Sequence, residues 1–550
     1  MKWFSRRGSR LILTAALLAF SLSSSAAEAL TFVVTKTADT ADGVCNADCS
    51  LREAIIAANA LAGPDTITLP AGNYVLTIAG DTGEDASATG DLDIAAGGLT
   101  INGAGAATTF VDGNNAIRVF EVVGAGAVTF FGLTVRNGLG GFGGGIENDS
   151  TATVTINQSA ILNNQGSFGG GINNNSTGTI IITNSTVSGN TATSFGGGIN
   201  NNVGGTVTLD EVIVSNNTAQ GFGGGGINNN STGTMTITES AITGNTAQNG
   251  GGINNNSGGS MTITDTTVSG NTATDDSPGG GGILNNSSGP MTIIESTISG
   301  NTSDGPGGGI ANNSNGALTI TNSTISGNSS TDPKTGEGGG VYRGSSGAVT
   351  LTNVTVIGNS APQGGGVFNN RLDSPITLLR SIVANSVGGN CGGVISSLGN
   401  NLSSDATCNL VAAGDLPSTN PQVAPLAANG GPTQTHALLA GSPAINAGGP
   451  GCPPPGTDQR GVARPQGAAC EIGSFECQAG ECVALGVTPT PTPTGPAPTA
   501  TRTPTLVPPT AVPTAPGGPP PANVPMLSWP LLALLGIGIA GTGYFLVRRG

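Results

Sequence analysis

The sequence predicts an all-β body, a right-handed parallel β-helix (solenoid) with terminal caps, followed by a Pro/Thr-rich linker and a C-terminal transmembrane anchor. Three observations carry this reading. First, GGGI or GGGV recurs nine times, ending at Ile146, Ile172, Ile199, Ile227, Ile253, Ile283, Ile310, Val341 and Val367, at intervals of 26 to 31 residues, the length of one short supersecondary unit. Second, each unit carries a segment of the form TITxSxISGN, with x at Gln158, Asn184, Glu211, Glu239, Asp265, Glu295, Asn322, Asn353 and Arg380. The residue two before x and the one three after it are aliphatic in every copy, from Ile156 and Ile161 to Leu378 and Val383. Thr and Ser alternate with them, giving the period of two of strands with one buried face. Third, asparagine recurs six residues after x, from Asn164 to Asn359, and two after GGGI, from Asn148 to Asn369. Asn tolerates left-handed backbone and its amide can bond to the same amide one layer away, so two asparagine ladders are expected at two turns per coil. The glycine triplets suit corners too tight for a Cβ.

In chain order, residues 1–29 have the form of a signal peptide: Lys2, Arg6, Arg7 and Arg10, an apolar run at 11–22 too short to span a bilayer, and Ala27-Glu28-Ala29 as cleavage site. Arg6-Arg7 lacks the apolar follow-up of a twin-arginine signal, which favours the general secretory route. Residues 30–136 are assigned to an N-terminal cap and the first coils, with strands within 66–76, 92–101 and 128–133. CSLREAIIAAN (49–59) is the one run of helix formers before the repeats. It is placed to cover the open edge that a strand stack leaves at its end. Residues 137–390 are the regular repeats, about nine coils, a rod of ~40 Å at about 4.8 Å per coil. A single coil cannot bury enough apolar surface to order its backbone, so the coils must stack.

Residues 391–485 form a Cys-containing C-terminal cap, and 486–525 a Pro/Thr-rich spacer that cannot bury a core. In 526–550, an uncharged apolar run at 531–547 lies between Trp529 and Arg548-Arg549, the pattern of a membrane span with a cytoplasmic stub. The eight cysteines are confined to the ends of the body: Cys45 and Cys49 before the repeats, Cys391, Cys408, Cys452, Cys470, Cys477 and Cys482 after them. An even number in an exported chain indicates structural disulfides, sequence neighbours being the simplest partners. Zinc is the alternative, to which the spacings lend little.

The formal net charge is −15, and six of the 17 basic residues lie in the signal and stub. No Lys or Arg occurs between Arg136 and Lys334, so the clustered cations that neutralise nucleic-acid phosphates are missing. Aromatics make up 3% of the chain, which leaves few platforms for stacking on bases or sugar rings.

The run CSLREAI (49–55) resembles the opening signature of bacterial surface proteins named for that CSLREA motif, in which parallel β-helix repeats follow. The stretch NPQVAPLAANGGPTQTHALLAGSPAINAG (420–448), continuing through DQRGVARP (458–465) to EIGSFE (471–476), is similar to a choice-of-anchor domain found near the C-termini of such proteins. The GGGI and SGN repeats are similar to the GGA(I) and FxxN repeats of polymorphic outer-membrane adhesins, with Ser mostly where Phe would stand. VPMLSWPLLALLGIG is similar to IPTL-type sorting tails but lacks their acidic residue after Ser528. These resemblances imply a β-helical, exported, surface-held protein and no one established activity.

The function expected is that of a structural or adhesive stalk presenting an extended surface to a cell-surface, matrix or polysaccharide ligand. The alternative is a polysaccharide lyase or hydrolase of the pectin-lyase-like fold, which requires carboxylates gathered on one face or a base for a sugar-ring proton. The adjacent pairs Asp275-Asp276 and Asp210-Glu211 are the visible candidates and have the character of solvated loop residues. The one histidine, His436, is assigned a structural role, and no catalytic or cofactor-binding residue is assigned. Paired threonines (Thr236/Thr238, Thr262/Thr264, Thr319/Thr321, Thr350/Thr352) suggest an ice-binding array, weighed against plain strand propensity and the interruptions at Ile181, Asp210 and Ile294. Finally, Glu211, Glu239, Asp265 and Glu295 occupy x in successive units. Stacked at about 4.8 Å, they form a column of like charge, relieved by solvent, by partial protonation or by weakly bound bridging calcium.

Overall fold

A strand that recurs every 26 to 31 residues can satisfy its backbone by bonding to its own copy one repeat later, and the chain does so throughout. The computed structural model describes residues 29–482 except 81, 82, 84, 96, 231, 257, 277, 278, 451 and 453; the signal-peptide, linker and membrane-anchor readings lie outside them. Among the described residues the strands form parallel sheets of 14, 12, 13 and 7 strands, each made of equivalent segments from successive coils. One coil runs Ile253–Asn255, Met261–Thr264, Thr267–Ser269, Thr272–Ala273. A coil thus turns three or four times, not the two expected, because each asparagine column marks one corner among several. Register is in phase: Ile237 pairs with Ile263 and Ile263 with Ile293, and all three are fully buried in one continuous core.

The asparagine columns are bonded as ladders. Asn245 donates through both its backbone N and Nδ2 to Asn271 Oδ1 at 2.9 Å, and Nδ2 also reaches Val214 O at 3.0 Å. The second ladder runs from Asn148 to Asn312 with Nδ2 to Oδ1 distances of 2.7–3.0 Å. It stops at fully buried Arg343, which has no acceptor to offer, so Asn312 Nδ2 is left without a partner. The left-handed backbone, assigned from sequence to the ladder asparagines, lies elsewhere. Every residue at x has φ between 45° and 54°, and the residue just before the first ladder is Asn or Gly at positive φ in every copy from Asn163 to Gly358. The ladder amides are occupied as hydrogen-bond groups instead. The glycine corners are as tight as expected: a Cβ on Gly252 would lie 2.6 Å from Gly282 O.

The CSLREA segment has a physical account. Ser50 caps the helix Leu51–Asn59 in a reciprocal capping box with Glu53, and Leu51, Ala54, Ile55 and Ala58 enter the core. Burial would raise the Glu53 carboxyl, but the Thr40 hydroxyl, the Ser50 and Asp42 N–H groups and Lys36 hold it at about 2. Buried Arg52 pairs with Asp39 at 2.7 Å and donates to the carbonyls of Ser87, Gly90 and Asp91. Cys45 is bonded to Cys49, Cys391 to Cys408, Cys452 to Cys470 and Cys477 to Cys482. After Leu416, which still bridges Leu402 in parallel, the chain leaves the coil and returns along the outer face of the 13-stranded sheet. There Ile472, Phe475, Leu438 and Ala444 pack on Ile357, Ile382 and Ala384. Among the described residues no helix is long and apolar enough to cross a membrane.

Candidate functional site

The residue after the core aliphatic of each 12-stranded-sheet strand points away from the core, into the layer crossed by the glycine-rich corners. Asp93, Glu121 and Glu147 stand there in register, followed by Asn173, Asn200, Asn228 and Asn254, then Leu284, Ala311 and Tyr342. The asparagines form a further ladder, Asn200 to Asn173 at 2.7 Å and Asn228 to Asn200 at 2.8 Å. At its acidic end Arg118 ion-pairs with Asp91 at 2.5 Å and with both Glu121 and Glu147. The loop before this strand is tied to it: Asp93 Oδ2 accepts from Ser87 N at 2.8 Å, and Ser87 Oγ donates to Asp93 O at 2.9 Å.

The site is sealed, Arg118, Asp91, Asp93, Glu121 and Glu147 all being at most 7% exposed. One guanidinium against four buried carboxylates leaves excess negative charge that the low-dielectric interior cannot screen. Burial, with Glu147, Asp91 and Asp93 adding to it and Arg118 opposing, pushes Glu121 up to about 8. Burial likewise raises Glu147 to about 7. Arg118 moves up, its carboxylate partners outweighing its own desolvation. The cluster therefore favours keeping a proton near neutrality, shared between Glu121 and Glu147. Asp91, Asp93 and Glu121 also place one oxygen each within 4.8 Å of one another. Those three could ligate a hard cation, in competition with Arg118, which already holds two of them.

Glu121 has a folded value above the ordinary 4.5, so the folded state binds more protons between those pH values and this contribution to stability is lost as pH climbs toward 8. Glu121→Gln, which cannot ionise, is expected to match wild type near pH 5 and to exceed it at pH 9 by ~2–4 kcal/mol. Thermal melts at the two pH values check this; a variant less stable than wild type at pH 9 would show that the folded state favours the ionised Glu121 carboxylate, its value lowered rather than raised.

No family model and no curated protein matches the chain. Among solved structures it is similar to the crystal structure of pectate lyase Pel9A, at 16% identity, with 82% of this chain and 97% of that chain covered and a TM-score of 0.28. A likeness of that size carries no argument about site or substrate. The β-helix stands on its own strand pairing.

The acidic cluster corrects the expectation that adjacent acidic pairs were the only candidates. Asp93, Glu121 and Glu147 are 28 and 26 residues apart, and each follows a core residue (Leu92, Phe120, Ile146), which is the signal that locates them. The column at x is a column, and burial together with Glu295 and Glu239 raises Asp265 to about 6. Among the described residues only Asp91, Asp93 and Glu121 bring three carboxylates within an ion's reach. Rungs about 4.8 Å apart put the outer two of any three too far from one centre, so a bridging cation would meet adjacent pairs of the column. The threonine array is real as geometry, Thr208 to Thr377 pairing in register on the half-exposed outer face of the 14-stranded sheet. The scarce aromatics are also gathered: Phe142 stacks on Phe168 at 5.1 Å and Phe168 on Phe195 at 5.6 Å. Stacking uses both faces of Phe168 and one face each of Phe142 and Phe195. Phe222, displaced by one extra glycine before Ile227, is 61% exposed.

Proposed function

We propose that the chain is a surface-anchored structural or adhesive protein whose right-handed β-helix presents an extended face to cell-surface, matrix or polysaccharide ligands. The observation that carries it is the in-register, nearly charge-free Thr face repeated from Thr208 to Thr377, beside an acidic cluster too buried to meet a polymer. A right hand is the one that parallel crossovers favour. The contacts of the helix Leu51–Asn59 with strands of the first coils support its role as a cap, and the apolar run at 531–547 supports a membrane anchor.

A glycan array combined with a depolymerisation screen of the full-length protein tests the reading. Binding without shortening of any bound polysaccharide is expected. Chain cleavage by wild type that is lost in Glu121→Gln or Asp93→Asn would overturn the sealed-site argument and favour the lyase or hydrolase alternative. Deleting residues 531–550 is expected to release the protein into the medium. Cell fractionation reads this, and retention at the surface would assign the attachment to another segment.

A further inference from the structure

The outer face of the 13-stranded sheet carries a column of hydroxyls, Ser269, Ser299 and Ser326 in register, ending where Ser326 pairs with Ile357. At Ser326 the returning C-terminal segment sets down the only histidine of the chain. His436 Nε2 lies 2.9 Å from Ser326 Oγ, and its Nδ1 lies 2.7 Å from the carbonyl of Ala424. The ring is held by local pairing rather than by the contact alone: Val423 bridges Leu438, Ala427 bridges Thr435, and Ala424 N donates to Ala437 O at 2.8 Å.

This geometry sets the proton positions. A carbonyl can only accept, so Nδ1 carries the hydrogen and Nε2 is the bare nitrogen that accepts from the serine hydroxyl. Burial lowers His436 from its ordinary value, with the Ala424 carbonyl opposing, which keeps the ring neutral and able to take a proton at neutral pH. Ser326 and His436 both line an open cleft of about 330 Å³. Its wall is apolar at Ile357, Val423 and Pro425, and Asn385, exposed at the rim, is its one side-chain amide. The backbone N–H groups of Gly327 and Gly358 at the same cleft are engaged with carbonyls of the next coil. A hydroxyl, a neutral base oriented from behind, an apolar recess and an amide donor are the parts that acyl transfer needs.

We propose that Ser326 and His436 form a nucleophile and general base that hydrolyse small carboxylic esters, the acyl group lying against Ile357, Val423 and Pro425. Ser326 Oγ bonds to the ester carbonyl carbon as its proton passes to His436 Nε2. The carbon–alkoxy bond breaks, and Nε2–H protonates the departing oxygen to give the alcohol and an acyl-serine. Water then adds to the acyl carbon with His436 again taking the proton, the Ser326 oxygen leaves and recovers it, and the carboxylic acid is released. Such an activity goes beyond binding by the Thr face and is independent of it, since removal of a small acyl substituent leaves a polymer chain uncut.

The test uses the full-length protein with a fluorophosphonate probe and with 4-nitrophenyl acetate. Wild type is expected to take one phosphonyl group, mapped to Ser326 by peptide mass, and to hydrolyse the ester above the buffer rate. Ser326→Ala is expected to lose both signals, and His436→Gln to slow labelling at least ~100-fold. Asn385→Ala is expected to lower ester turnover ~100–1,000-fold, as loss of an oxyanion donor does. Ser299→Ala, the same register without a histidine, is expected to behave as wild type. Folded wild type that takes no label at Ser326, or Ser326→Ala hydrolysing at the wild-type rate, overturns the proposal and leaves the pair a structural clasp. Ser326→Ala removes only one outward hydroxyl, so it decides between these outcomes whether or not His436→Gln folds.

Discussion

Ile263→Asp is expected to unfold the body around the middle coils. Ile263 is fully buried between Ile237 and Ile293, its partners in the coils on either side. A carboxylate there has no counter-charge or donor in reach, and the cost is ~5 kcal/mol or more whether it ionises or protonates. A solenoid is held by nearest-neighbour contacts, so the damage should centre on the coils carrying 237, 263 and 293 and spread outward. Circular dichroism should show loss of β signal with a large fall in melting temperature, and amide exchange should be fastest in those three coils. A variant that melts with wild type would mean that the aliphatic two residues before x faces solvent.

Asn271→Leu is expected to cost ~3–6 kcal/mol although it makes the residue more apolar at similar size. Asn271 accepts from Asn245 N and Nδ2, both at 2.9 Å, and donates to Asn301 Oδ1 from N at 3.0 Å and from Nδ2 at 2.9 Å. Its Nδ2 also reaches Ile242 O at 2.9 Å. Leucine keeps the backbone bond but strands the two Asn245 donors in a fully buried site, at ~1–3 kcal/mol each, and removes a donor from two acceptors. Chemical denaturation measures the loss. Thr262→Ala, on the half-exposed face of the same coil, is the comparison and should stay within about 0.5 kcal/mol. If the two variants were equally mild, the ladder would be decoration on a stack held by its aliphatics alone. The native chain already shows one interrupted rung, where Arg343 ends the second ladder and recovers bonds from Gly347 O, Ser346 O and Ser374 Oγ.

The strand body was legible because its signals are local and repeated. Ile156, Ile182 and Leu209 occupy one position in consecutive units and stack in one column, so alignment of the sequence with itself yields the register. The position x was visible too, but its backbone was not. Glu239 and Asp265 have no glycine-like signature, yet each takes φ above 40°, because the chain must reverse between two parallel sheets there and the neighbouring coils over-determine the corner. The acidic cluster was hidden for another reason. Asp93 and Glu121 lie on strands that precede the GGGI copies, so they carry no repeat marker, and Arg118 and Asp91 join them from outside the column.

By itself the sequence determined the coil, its period, its inward aliphatics and its asparagine ladders, because each is dictated by residues within about 30 positions of one another repeated along the chain. Only the tertiary structure decided where the unrepeated parts come to rest. Ser326 and His436 are 110 residues apart in sequence, and Gln459 reaches back to donate to Thr297 Oγ1 at 2.9 Å across 162 residues. Such contacts follow from the shape of one face meeting another, and no spacing in the chain records that meeting. Local periodicity encodes hydrogen bonds between copies of the same segment, whereas the return of the C-terminal segment onto the flank depends on side-chain complementarity that appears only once the coils have stacked.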